Sequence, residues 1–139
     1  MIPDKVFKAI AHNCKGYDRF TNGGQLEQGY KPDYVLKKGS DYIILESENS
    51  SSRKTFVGGM IKAAHFLQNL NTGILIFIIV PKDNTQAAAI ARHLKKYLSW
   101  LQDKTNLKDV YVIEAGSYYK DESVLTLGSP EFENVAIKV

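Results

Sequence analysis

The chain has a single cysteine, Cys14, among its 139 residues. No internal disulfide can form, and nothing about the thiol calls for an oxidising compartment. No apolar run approaches the roughly 20 residues that a membrane-spanning helix needs. The longest, Gly73 to Pro81 (GILIFIIVP), reads instead as a buried strand. The start, MIPDKVFKAI, lacks the basic-then-apolar order of a secretion signal, so a cytoplasmic protein is the expectation. There is no internal repeat, no linker, and no low-complexity tract longer than Ser50-Ser51-Ser52, and residues 1–139 are read as one domain. His12, His65 and His93 are scattered without zinc-ligand spacing, and Gly16, Gly23 and Gly24 make neither a P-loop nor a dinucleotide fingerprint. Structural zinc and nucleotide-phosphate binding therefore have no support.

What is present is ordinary for a globular domain: 44% hydrophobic and 24% charged residues. A chain of this length buries roughly two-thirds of its unfolded surface, enough for a core without staples. The net charge of +3 permits nucleic acid as a partner without demanding it.

Pro3 and Asp4 suit a helix start, and Val6, Phe7, Ile10 and Ala11 recur at helical spacing, so a first helix is expected over Pro3 to Asn13. Gln25 to Tyr30 is read as a short edge strand. Asp33 to Lys38 and Asp41 to Glu48 are rich in Tyr, Val, Ile and Leu and flank Gly39-Ser40, a two-residue turn that predicts a β-hairpin. Thr55 to Leu70 puts Phe56, Met60, Ala64 and Leu67 on one helical face. Gly58 and Gly59 cost that helix about 1 kcal/mol each relative to Ala, so close packing on the sheet is expected there. Gly73 to Val80 is a central strand, and Asn84 is the expected N-cap of a long amphipathic helix through Trp100. Its outward residues, Arg92, His93, Lys95 and Lys96, suit either solvent or a phosphate backbone. Val110 to Ala115 is another strand, and Val124 to Leu127 and Val135 to Val139 are short edge strands. Tyr17, Arg19, Tyr118, Tyr119 and Lys120 fall in presumed loops. The fold class is α/β, a mixed central sheet flanked by helices.

The hairpin register carries the chemistry. With Gly39-Ser40 as the turn, Lys38 faces Asp41 and each earlier residue faces a later one, until Asp33 faces Glu46. Glu48 shares the face of Glu46 by the period of two, so three carboxylates converge at one end of the hairpin. Directly opposed residues have Cβ atoms about 4.5–5.5 Å apart, and like charges at that spacing destabilise a sheet. A hard divalent cation such as Mg²⁺ offsets the repulsion. Neutralisation by Lys31, Arg53 or Lys54 at a solvated edge is the alternative.

Pro32-Asp33, a turn, then Ile44-Leu45-Glu46-Ser47-Glu48, a helix and an apolar strand resemble the PD-(D/E)XK nuclease superfamily. The likeness covers about residues 3 to 80. It implies a restriction-endonuclease-like αβββαβ core, with the second amphipathic helix and edge strands over 84–139. It implies Asp33 and Glu46 as metal ligands, with Mg²⁺ the metal and Mn²⁺ a substitute. Glu48 stands where most members have lysine, a departure shared with BamHI-type restriction endonucleases, in which a Glu-x-Glu pair precedes an Asn-containing loop, a lysine and a helix. Here that stretch is ESENSSSRKTF. The resemblance thus implies Glu48 as a base or water-orienting group, with Lys54 or Lys62 as a stand-in cation. It further implies DNA as the substrate and a homodimer, since one centre cuts one strand. Two other outcomes remain open: a junction-resolving or repair nuclease, and a noncatalytic nucleic-acid-binding or protein-interaction domain on the same fold.

Overall fold

A computed structural model describes residues 2–83 and 85–139. The expected order of the core is present: helix α1 (Asp4–Ala9), strands β1 (Asp18–Thr21), β2 (Tyr34–Lys38) and β3 (Asp41–Glu48), helix α2 (Arg53–Phe66) and strand β4 (Thr72–Ile79). Beyond them lie helix α3 (Ala87–Gln102), strand β5 (Leu107–Glu114), the short helix α4 (Ala115–Tyr118), strands β6 (Tyr119–Lys120) and β7 (Ser123–Val124), helix α5 (Pro130–Val135) and strand β8 (Ile137–Lys138).

Among the described residues one six-stranded mixed sheet runs β1-β2-β3-β4-β5-β8, and β6 pairs only with β7. β3, β4 and β5 are parallel, while β1-β2, β2-β3 and β5-β8 are antiparallel. Helices α2 and α3, the two crossovers of the parallel strands, cover one sheet face through Phe56, Met60, Ile90 and Leu94. Phe7, Tyr118 and Phe132 from α1, α4 and α5 cover the other. A strand sheathed on both sides is apolar on both sides, which is why β4 reads as an unbroken aliphatic run. Of the paired glycines in α2, Gly59 fits the expected close packing: a Cβ there would stand 3.2 Å from the Phe77 ring, whereas one at Gly58 would meet nothing within 4 Å.

The hairpin register is as expected over every pair from Lys38↔Asp41 to Tyr34↔Leu45. Several boundaries differ. The edge strand is Asp18–Thr21, not Gln25 to Tyr30, which is a tight turn closed by the Tyr30 N–H donating to the Glu27 carbonyl and the Leu26 N–H donating to the Tyr30 carbonyl, with Gly29 at φ +82°. Helix α1 stops at Ala9 because Ile10 is extended and the next residues turn inward, burying His12, which bonds the Phe7 carbonyl at 2.7 Å and the Tyr118 hydroxyl at 2.6 Å. Tyr118 is therefore core, not loop surface. Helix α3 starts at Ala87 with Gln86 at its N-cap; Asn84, the expected cap, lies outside the described residues. Val135 to Val139 divides between the end of α5 and β8, and Val124 to Leu127 between β7 and an isolated bridge from Leu127 to Cys14. Helix α5 was not expected, although Ser129-Pro130 is a clear start signal, in which Ser129 Oγ accepts the Phe132 N–H at 3.2 Å. No helix among the described residues is long and apolar enough to cross a membrane.

Candidate active site

Asp33 lies immediately before β2, one residue beyond the last paired rung, so its meeting with Glu46 is made by side chains rather than by the ladder. The Asp33 backbone N–H donates to Glu46 Oε1 at 3.0 Å, and the Ser47 N–H donates to Asp33 Oδ2 at 2.8 Å. Each carboxylate thus caps the backbone beside the other. The turn at Gly39, with φ +61°, sets this register from the far end of the hairpin.

Glu46 pairs with Phe77 of β4 and Glu48 with Ile79. Phe77 and Ile79 belong to the core beneath α2 and α3, so both acids point to that layer. Burial pushes the Glu46 carboxyl up to about 7, with the Asp33 charge adding to the effect and Glu48 contributing further. Burial also raises Asp33, although the Ser47 N–H works against the shift. Glu48 shares the patch electrostatically, but its Oε1 accepts the Ser50 N–H at 2.8 Å and so braces the loop that leads into α2.

Of the two lysines expected at the site, Lys62 donates to the Gly29 carbonyl at 3.3 Å, and its charge acts against the rise in the Glu46 pKa. Lys54, in the first turn of α2, lines a groove with Ile61, His93 and Tyr97. The cation beside the acids is one that sequence reasoning missed: Lys8 of α1, with Nζ 3.9 Å from Asp33 Oδ1 and 3.1 Å from Asp4 Oδ2. A hydrogen bond to Asp4 raises the Lys8 pKa, and the charges of Asp33 and Glu46 support it. Its only sequence signal is the Asp4-Lys8 helical pair, which reads as a surface interaction. Tyr30 was also missed. It is 3% exposed and its buried hydroxyl has no hydrogen-bond partner among the described residues; burial raises the phenol pKa, and the charges of Glu46, Glu27 and Asp33 raise it further.

Among the described residues no three His, Cys, Asp or Glu side chains form a ready-made metal shell. Asp33 and Glu46 bring the hard oxygen donors of two carboxylates together, and a cation would relieve their mutual repulsion. Mg²⁺ is commonly held by one or two carboxylates and otherwise by water and phosphate oxygens, so the donor chemistry fits that ion.

The other end of β3 is built differently. Asp41 accepts hydrogen bonds from Thr72 Oγ1 at 2.6 Å, from Lys108 Nζ at 2.6 Å and from the Tyr17 hydroxyl. Burial alone would raise this carboxyl, but the three donors outweigh it and its pKa is lowered. Comparison with known proteins found no match: no family model, no curated protein and no solved structure is significantly similar to the chain.

Proposed function

We propose that the protein is a metal-dependent endonuclease that hydrolyses DNA phosphodiester bonds, with its centre at Asp33 and Glu46. The observation that carries this reading is the reciprocal bonding that holds the two carboxylates together at the end of the hairpin, against a pKa shift that records the cost of keeping them there. Asp33 and Glu46 would hold Mg²⁺, or Mn²⁺ in its place. When bound, the metal would polarise a phosphoryl oxygen and lower the pKa of a bound water. Glu48 orients the attacking water or accepts its proton. Lys8, rather than Lys54 or Lys62, takes the part of the lysine that the Glu-x-Glu pattern lacks, because its ammonium already faces Asp33. A double-strand break requires two such centres, which makes a homodimer the working form.

A second reading has one observation in its favour. The bond from Ser50 N–H to Glu48 gives that acid a structural task, as expected of a noncatalytic nucleic-acid-binding or protein-interaction domain. One assay separates the two: nicking of supercoiled plasmid by folded protein with Mg²⁺ or Mn²⁺. The nuclease reading expects nicking by the wild type and its loss in Asp33→Ala and Glu46→Ala, with the fold kept. Nicking that persists in either variant moves the centre elsewhere. Absence of metal-dependent nicking by the wild type transfers the protein to the second reading.

A further inference from the structure

Helices α2 and α3 lie side by side on the sheet, and the groove between them is open to solvent. One stretch is lined by Lys54, Val57, Gly58, Ile61, His93 and Tyr97, with a volume of about 580 Å³. The next, of about 270 Å³, is lined by Ile61, Ala64, Gln68, Trp100, Leu101 and Lys104. Ile61 borders both, so the two form one channel. Its apolar walls are unusually bare: Ile61 is 48%, Trp100 58% and Tyr97 36% exposed. Large apolar residues gathered in this way mark a binding surface more often than scattered ones do.

The two helices that wall the channel carry charge of one sign, and an acid from outside them, Glu27, meets it at His65 2.7 Å away. Neither α2 nor α3 contains an Asp or Glu, while together they carry Arg53, Lys54, Lys62, Arg92, Lys95 and Lys96. Among the described residues no ion pair engages Lys54, Lys96 or Lys104. Lys104 lies 4.8 Å from the centre of the Trp100 ring and Lys96 lies 5.2 Å from that of Tyr97. The stretch of α3 from His93 to Gln102 is roughly 14 Å long, about two and a half helical turns.

We propose that this groove docks an acidic amphipathic helix of a partner protein, its apolar stripe seated on Ile61, Tyr97 and Trp100 and its carboxylates met by Lys54, Lys96 and Lys104. The mode is helix-in-groove recognition, with apolar anchors at helical spacing and charge complementarity at the rim. A second copy of this chain is the wrong occupant, because two basic faces repel one another. Single-stranded nucleic acid fits less well than a peptide: Val57 and Ile61 offer no stacking platform, and a lysine already covers one face of each aromatic ring. The proposal does not depend on the chemistry at Asp33 and Glu46.

Trp100 is the only tryptophan in the chain and reports directly from the groove. The test titrates the full-length protein with three probes. They are a synthetic helical peptide with Leu at i, i+3, i+4 and i+7 and Glu on the flanking positions, the same peptide with Lys in place of Glu, and a single-stranded oligonucleotide. The acidic peptide is expected to shift Trp100 emission to the blue and to saturate. Ile61→Glu and Lys104→Glu should each weaken it by about tenfold, the scale of losing one interface anchor, and added salt should weaken it further. Both positions are at the surface, and Lys104→Glu stands as the test if Ile61→Glu fails to fold. No shift with the acidic peptide overturns the proposal. So does equal binding of the basic peptide, or a preference for the oligonucleotide that the two variants abolish.

Discussion

Asp41 and Glu46 sit on one strand, five positions apart, and the protein treats them in opposite ways. Asp41 faces the α1 and α5 side of the sheet and is met by a lysine, a threonine and a tyrosine, which lower its pKa. Glu46 faces the α2 side, where burial first, and then the charges of Asp33 and Glu48, raise its pKa to about 7 against the one backbone N–H, from Asp33, that it accepts among the described residues. A buried carboxylate with several donors is a structural tie, whereas one left among like charges destabilises the fold unless a ligand relieves it. On the proposed function Glu46 is the working end of β3, while Asp41 is the end that ties the sheet to Thr72, Lys108 and Tyr17.

The sharpest test of that division is catalytic. Glu48→Gln keeps the size of the side chain and removes its basicity, so metal-dependent nicking should slow by about 10²–10⁴-fold, the scale of a general base. Asp41→Asn should leave the rate near that of the wild type. A nicking rate indifferent to Glu48→Gln would falsify the base role, and a large loss in Asp41→Asn would break the comparison itself.

Stability should change in the opposite order. Asp41→Ala leaves Lys108, Thr72 and Tyr17 without their shared acceptor and should lower unfolding free energy by about 2 kcal/mol, read from urea midpoints. Little change would mean that water replaces the carboxylate at no cost.

Glu46→Gln should act in the opposite sense, with a characteristic pH dependence. A folded pKa raised to about 7, against an ordinary value of 4.5, means the native state holds the proton more tightly, so the wild type loses stability as pH rises from near 4.5 through 7. The variant should match the wild type at pH 4 and exceed it by about 3 kcal/mol at pH 8, at roughly 1.4 kcal/mol for each pH unit between the two values. The comparison must be made as a difference between the two proteins. Burial holds His12 down at about 4, and the stability it contributes is present above its ordinary 6.5 and is lost as pH falls toward 4, which opposes the Glu46 trend in the wild type. Equal stabilities at pH 8 would show that the Glu46 charge is neutralised in solution.

Local chemistry sufficed for the hairpin and for the carboxylate pair that the hairpin creates. Gly39-Ser40 set the register, the register brought Asp33 to Glu46, and the aliphatic run at β4 announced a sheet covered on both faces. The α2 and α3 patterns marked the layer beneath which Glu46 lies. These features depend on residues close in sequence or on a simple period, and such signals survive without knowledge of the partner surface. Lys8, Tyr30 and the His12–Tyr118 contact depend on segments brought together from afar, and no local period records them. Helix α1 ended early for the same reason: burying His12 against Tyr118 of a distant helix overrode the helical pattern that continued through Ile10 and Ala11. Residue order alone determined the mixed α/β sheet and the meeting of two carboxylates at one end of it. Tertiary packing decided which charges those carboxylates face, because desolvation and neighbouring charge are properties of the folded surroundings and not of the strand that carries the acid.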